Sequence, residues 1–252
     1  RMREENCKCT VVQVQVKTPD FRTVQRQCTL PRATWLQRDL IDRAMELGIN
    51  YFDTANMYTD SEAKLGKALR DVRQNVVIST KSAGTDKKTV LAHIEESLRR
   101  LQTDYIDLFQ FHNPAVLPNP EDPDGSYAAA LEMKEKGYIR HIGITNHRLH
   151  VAREAIDSGN FETLQFPFCH ISGQQELDLV MDCKKYDLGF IAMKGLSGGL
   201  LNNAEVCHAF MAQFDNVVPI WGIQHEWELD QWLELANREV TMTPELEAIM
   251  EQ

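Results

Sequence analysis

Four residues carry the chemistry that this sequence proposes: Asp53, Tyr58, Lys81 and His112. A phenol, with an ordinary pKa of ~10, is a poor proton donor at neutral pH. A nearby ammonium stabilises the phenolate and lowers that pKa, and a carboxylate paired with the ammonium fixes its position. Asp, Lys and Tyr so combined form a tuned general acid, and a neutral His donates a hydrogen bond to a substrate carbonyl. Protonating a carbonyl oxygen is half of a ketone reduction. The other half is a hydride, which no side chain supplies and a cofactor must. Singly, each residue has a plainer role: Asp53 caps a turn, Lys81 lies on the surface, Tyr58 packs on a rim, and His112 satisfies the turn at Asn113-Pro114. Their joint placement favours catalysis.

That placement rests on the elements. Short apolar, often β-branched runs occupy residues 49–53, 75–81, 105–112, 138–145, 163–166, 188–193 and 217–221. Longer amphipathic stretches separate them. Leu36, Leu40, Ile41, Ala44 and Leu47 share one face before Gly48, Val90, Ile94, Leu98 and Leu101 a second, and Leu177, Val180, Met181 and Tyr186 a third. Strands alternating with helices predict a parallel sheet, whose chemistry gathers at the C-terminal strand ends. Read in order, those ends are Asp53, Lys81, His112, Thr145-Asn146, Gln165, Met193-Lys194 and Trp221-Gly222, with Tyr58 in the loop after Asp53. Seven runs are one short of an eight-stranded barrel. Residues 10–16 and 21–25, joined at Pro19-Asp20, alternate like a β-hairpin with one polar face. Residues 113–126, with four prolines and acidic Glu121, Asp122 and Asp124, make a long loop. Facing the mouth, it would disfavour strongly anionic substrates. Trp221, Trp227 and Trp232 are taken as core.

Composition narrows the rest. The 252 residues carry 27 Lys plus Arg against 37 Asp plus Glu, a formal charge of −10. Such a chain has no global attraction to nucleic acid or anionic lipid. No apolar run reaches the ~18–20 residues of a membrane span, and the charged residues 1–6 lead into no signal-type segment. Cysteines 7, 9, 28, 169, 183 and 207 are irregularly spaced, which predicts reduced thiols, a cytoplasmic setting and no metal.

Residues 48–58 (GINYFDTANMY), then Ser61-Glu62 and Leu65-Gly66, resemble the signature of the aldo-keto reductase superfamily. Ser79-Thr80-Lys81, Phe111-His112 and residues 98–108 and 139–146 extend the likeness over about 34–236. The resemblance implies an α/β (β/α)8 TIM barrel across residues 1–252, with 1–30 a divergent N-terminal segment whose first strand is atypical and 237–252 a C-terminal tail. It implies NAD(P)(H) as cofactor and an aldehyde or ketone as the small-molecule substrate. Tyr58 would be the proton donor, Lys81 and Asp53 its tuning pair, and His112 the carbonyl-orienting group. Thr145, Asn146 and Gln165 would hold the nicotinamide carboxamide, with Met193 where many relatives stack a Tyr. Lys194, Leu196, Gly198 and Gly199 would cover the pyrophosphate. Gly222, Gln224, Asp230 and Gln231 complete the cofactor set.

Two departures stand out. Residues 1–30 contain no glycine, where relatives have a Gly-rich first strand. Residues 219–229 most resemble the ferredoxin-like, iron–sulfur-bearing branch, yet no cysteine follows Cys207. Gln224, His225, Glu226 and Glu228 replace the cations that grip a 2′-phosphate, so NAD(H) is expected to bind at least as well as NADP(H). A dinucleotide-sensing or interaction protein on the same barrel is the alternative to an enzyme.

Overall fold

The computed structural model describes residues 9–17, 23–34, 50–222, 231–232, 234–235 and 240–250, the first two stretches as backbone. The described residues form two compact units, one of residues 51–195 and 216–220 and one of the remainder. In the latter, β1 (Cys9–Lys17) and β2 (Thr23–Thr34) pair antiparallel as a two-stranded sheet. This is the hairpin expected from the alternation, in place of a parallel first strand. The helix expected at 36–47 lies outside the described residues.

The larger unit holds seven parallel strands: β3 (Tyr51–Asp53), β4 (Val77–Ser82), β5 (Ile106–His112), β6 (Ile139–Thr145), β7 (Thr163–Pro167), β8 (Gly189–Met193) and β9 (Val217–Pro219). Each pairs with the next in sequence, with no reversal of order. Right-handed crossovers in one direction put every helix on one face. The opposite face must then be filled by the sheet's own side chains, as in a (β/α)8 barrel and unlike a doubly wound sheet. The strands do curl. Gln110 on β5 donates to Gln165 on β7 at 2.8 Å, skipping β6, although strands two apart in a flat sheet are ~9.5 Å from each other.

Between the strands run α1 (Ser61–Leu69), α2 (Lys87–Leu101), α3 (Ser126–Glu135), α4 (Leu149–Ser158) and α5 (Gln174–Lys185). Asp86 caps α2 by accepting from the Thr89 amide, and Gln102 ends it in the left-handed region. Val90, Ile94 and Leu101 are buried as the spacing predicts. The α5 expectation needs correction: Leu179, Val180 and Cys183 face inward, while Met181 and Tyr186 are 56% and 52% exposed. Leu179 and Cys183 are four apart and make the true stripe. A second apolar layer, of Phe109, Phe111, Tyr127 and Phe161 in edge and stacked contacts, joins β5 to α3.

In the other unit, α6 (Ala204–Ala212) and α7 (Pro244–Met250) flank a cluster of Ala204, Cys207, Ala209, Trp232, Leu235 and Val240. Trp221 stacks on Trp232 with ring centroids 3.6 Å apart, so both serve the core as expected; Trp227 lies outside the described residues. No helix among the described residues is long and apolar enough to cross a membrane.

Candidate active site

Parallel pairing brings Asp53, Lys81 and His112 to the C-terminal ends of three adjacent strands, β3, β4 and β5. Lys81 Nζ donates to Asp53 Oδ2 at 2.6 Å and to the Thr54 carbonyl at 2.7 Å. The lysine is 1% exposed, so its charge depends on those two acceptors. Tyr58 stands over the pair. Its ring is 5.8 Å from Lys81 Nζ and meets His112 edge to face, centroids 5.6 Å apart at 81°. Asp53 Oδ1 and His112 Nδ1 are out of solvent with no partner among the described residues.

The loop that presents Tyr58 is held from below. The Thr54 and Asn56 amides extend the β3 ladder onto the Ser79 and Lys81 carbonyls. Arg100 on α2 donates to the Asn56 carbonyl at 2.9 Å and pairs with Glu62 and Glu96. Glu62, 1% exposed, also accepts from the Thr80 hydroxyl at 2.7 Å. The Asn56 amide reaches Glu96 and Ser97. Gly66 lets α1 seat on α2: a Cβ there would lie 2.4 Å from the Arg100 carbonyl oxygen. Glu62 and Gly66 were visible as letters of the signature; Arg100 and Glu96, from a helix distant in sequence, were not.

The electrostatics correct one expectation. Burial first, then the Asp53 charge, raises the Tyr58 pKa above the ordinary phenol value instead of lowering it. The Lys81 charge is met by Asp53 and Thr54, so little remains for the phenol. Burial lowers the Lys81 pKa, against the pull of Asp53. Burial, then Lys81, depresses the His112 pKa; Asp53 opposes them and His147 assists. At neutral pH the site thus presents a protonated phenol and a neutral imidazole.

Along the neighbouring strand ends, Thr145 and Gln165 are buried, and both point donors at the Met193 sulfur, Oγ1 at 4.0 Å and Nε2 at 3.8 Å. A thioether is a weak acceptor, so a carboxamide oxygen would compete well for both donors. The donor set fits a nicotinamide. Asn146 is otherwise engaged: Nδ2 donates to the Pro114 carbonyl, and Oδ1 accepts from the His147 and Arg148 amides. Lys194 follows β8 in the left-handed region at φ 57°.

The other expected cofactor residues fall in the smaller unit. Ser197–Gly199 is a tight turn with Gly198 and Gly199 at positive φ, Leu196 packs on the tryptophan cluster, and Gly222 and Gln231 are exposed. Gln224, His225, Glu226, Glu228 and Asp230 lie outside the described residues. The acidic loop is folded on itself: Asn119 and Asp122 accept from the Glu121 and Asp124 amides, and the Asp124 carbonyl accepts from Lys87 at the start of α2.

The chain matches the model of the Aldo/keto reductase family over residues 33–249. A second model, the impB/mucB/samB family C-terminal domain, matches residues 1–62 and so covers the glycine-free segment. Over 184 residues the chain is 29% identical to the uncharacterized oxidoreductase YqkF of Bacillus subtilis, covering 68% of this chain and 59% of that protein. Over 120 residues it is 33% identical to the methylglyoxal reductase DkgA of Escherichia coli O157:H7, covering 46% and 42%. The chain thus spans about half the length of these curated relatives. The solved holo form of aldo-keto reductase AKR11C1 from Bacillus halodurans superposes with a TM-score of 0.69 at 25% identity, covering 85% of each chain.

Proposed function

The chain belongs to the aldo/keto reductase family, and from that premise we propose that it is a nicotinamide-dependent oxidoreductase that interconverts an aldehyde or ketone and its alcohol. The observation that carries this reading is the Lys81–Asp53 pair beneath a Tyr58 ring that touches His112. In the reducing direction, the hydride for the carbonyl carbon would be the contribution of NAD(P)H when bound. Tyr58 gives its hydroxyl proton to the carbonyl oxygen, and solvent restores it. A protonated phenol is the form this step needs, and burial beside Asp53 keeps it so. His112, kept neutral by burial and Lys81, orients the carbonyl without competing for the proton. Lys81 and Asp53 hold the floor on which the phenol rests. Thr145 and Gln165, whose donors now meet the Met193 sulfur, would supply the donors for a nicotinamide carboxamide, with Met193 as the apolar neighbour at that end of the sheet.

The partner is a small carbonyl compound, not nucleic acid or membrane. The buried thiols of Cys169, Cys183 and Cys207 suit a reducing, cytoplasmic compartment.

Nicotinamide absorbance with a panel of aldehydes, run on the protein and on Tyr58→Phe, tests the reading. The variant keeps the ring but lacks the proton, so turnover should fall by about 10²–10⁴ while nicotinamide fluorescence still reports binding. Binding without turnover in the unmodified protein would favour a dinucleotide sensor instead.

A further inference from the structure

We infer that Gln110, which belongs neither to the four catalytic groups nor to the cofactor set, is a positioning residue that decides which end of the Gln165 amide faces the nicotinamide. This rests on the reading of Gln165 as a carboxamide donor and adds what makes it one.

Gln165 by itself is ambiguous. A glutamine amide offers N–H donors at one end and an accepting oxygen at the other, and the two ends have nearly the same shape. Only the donor end suits a carboxamide oxygen. Gln165 is 3% exposed, so its protein neighbours choose between the two settings.

The neighbour that chooses is Gln110, fully buried on β5 two residues before His112 and in register with Lys81 on β4. On β6 its register partner is Gly143, so the intervening strand puts no side chain in its way. One hydrogen of Gln110 Nε2 goes to Ser79 Oγ at 2.9 Å, and the other crosses to Gln165 Oε1 at 2.8 Å. Ser79 is also fully buried, two residues before Lys81 and on the same face of β4. With its oxygen held from this side, Gln165 turns Nε2 the other way. There it meets the Met193 sulfur at 3.8 Å, beside the Thr145 hydroxyl.

The alternative settings are unfavourable. Reversing either amide alone sets like against like across the 2.8 Å contact. Reversing both restores that bond but aims the Gln165 oxygen at the Met193 sulfur, itself an acceptor. The observed setting leaves Gln110 Oε1 without a partner among the described residues. An unpaired carbonyl oxygen is better tolerated than an unpaired N–H. The donors of Gln165 and Thr145 are thus aimed before a cofactor arrives, which removes an ordering cost from binding.

The test measures dissociation constants for NADPH by fluorescence and for 2′-phospho-ADP-ribose, which lacks the nicotinamide, by calorimetry. NADH and ADP-ribose replace them if that pair binds more tightly. Gln110→Met keeps the length of the side chain and removes both donors. It should weaken binding of the reduced cofactor about tenfold, the scale of one or two hydrogen bonds, and leave the nicotinamide-free ligand unaffected. Gln165→Met should do the same, and the double variant should be no worse than Gln165→Met, because Gln110 acts through Gln165. Should Gln110→Met fail to fold, Ser79→Ala loosens Gln110 instead and should weaken the reduced cofactor alone, by about threefold. Equal losses for both ligands, additive losses in the double variant, or unaltered affinity in Gln110→Met and Ser79→Ala each overturn the inference. If Gln165→Met itself binds the reduced cofactor normally, the reading of Gln165 fails and the inference falls with it. A protein that binds neither reduced cofactor sinks the reductase reading itself, and the inference with it.

Discussion

Lys81 Nζ and Asp53 Oδ2 are 2.6 Å apart, with side-chain exposures of 1% and 14%. An ammonium buried this deeply is charged because the carboxylate is there. Asp53→Asn leaves it with neutral acceptors alone and no compensating charge, so the variant should lose about 3 kcal/mol of stability, the low end of the cost of orphaning a buried charge. Lys81→Met, Asp53→Asn and the double variant, unfolded in denaturant, form a cycle. The double variant should be more stable than the sum of the single losses implies. Simple additivity would mean that the pair contributes no coupling.

The two pKa directions predict the pH profile of reduction. Tyr58 is raised above its ordinary value of ~10, so its proton stays in place through the neutral and mildly alkaline range. His112 is lowered below ~6.5, so its ring stays neutral down to mildly acidic pH. The rate of the chemical step should be flat between about pH 7 and 9. Its alkaline fall should lie above the ordinary phenol value and its acid fall below the ordinary imidazole value. Single-turnover rates across that range check it. An alkaline limb near pH 8 that vanishes in Tyr58→Phe would mean that Lys81 does lower the phenol after all.

Much of this was legible in the sequence because parallel strands make it so. The apolar runs ending at Asp53, Lys81 and His112 became β3, β4 and β5, and pairing in register placed their ends side by side. What stayed hidden depends on distant partners. The direction of the Tyr58 shift turns on how deeply the phenol is buried and on the Asp53 charge beside it, neither of which the order of residues reveals. The bonds of Asn146 to the Pro114 carbonyl and to the His147 and Arg148 amides, which fix its side chain at the end of β6, were equally hidden. The buried face of α5 was misjudged because Met181 and Tyr186 have the right chemistry but point away from the sheet. The glycine-free N-terminal segment marked the stretch that matches a second family.

Gly66 offers a stability test of the loop that carries Tyr58. An added Cβ would stand 2.4 Å from the Arg100 carbonyl oxygen and 2.6 Å from the Leu101 carbonyl carbon, both backbone atoms that cannot rotate aside. Gly66→Ala must push α1 off α2, which should cost about 1–3 kcal/mol. Because Arg100 also holds the Asn56 carbonyl, the shift should reach Tyr58 and lower kcat as well as Tm. An alanine variant with unaltered melting and turnover would mean that the helices separate freely.

Cys183 provides a test of how tightly α5 is packed. Its side chain is buried, and burial, aided by the Asp182 charge and opposed by Arg153, pushes the thiol pKa up to about 12. The thiolate is the reactive form, so at about pH 8 only around one thiol in ten thousand is ionised even before access is considered. Iodoacetamide applied to the native protein should leave Cys183 unmodified in a peptide map, while the same treatment in about 6 M guanidinium chloride should modify it fully. Partial modification under native conditions would mean that α5 opens from the sheet without global unfolding. A Cys183→Ser variant sharpens the distinction: it places a hydroxyl in an apolar site and should cost about 1–3 kcal/mol if the helix is closed, and much less if it is not.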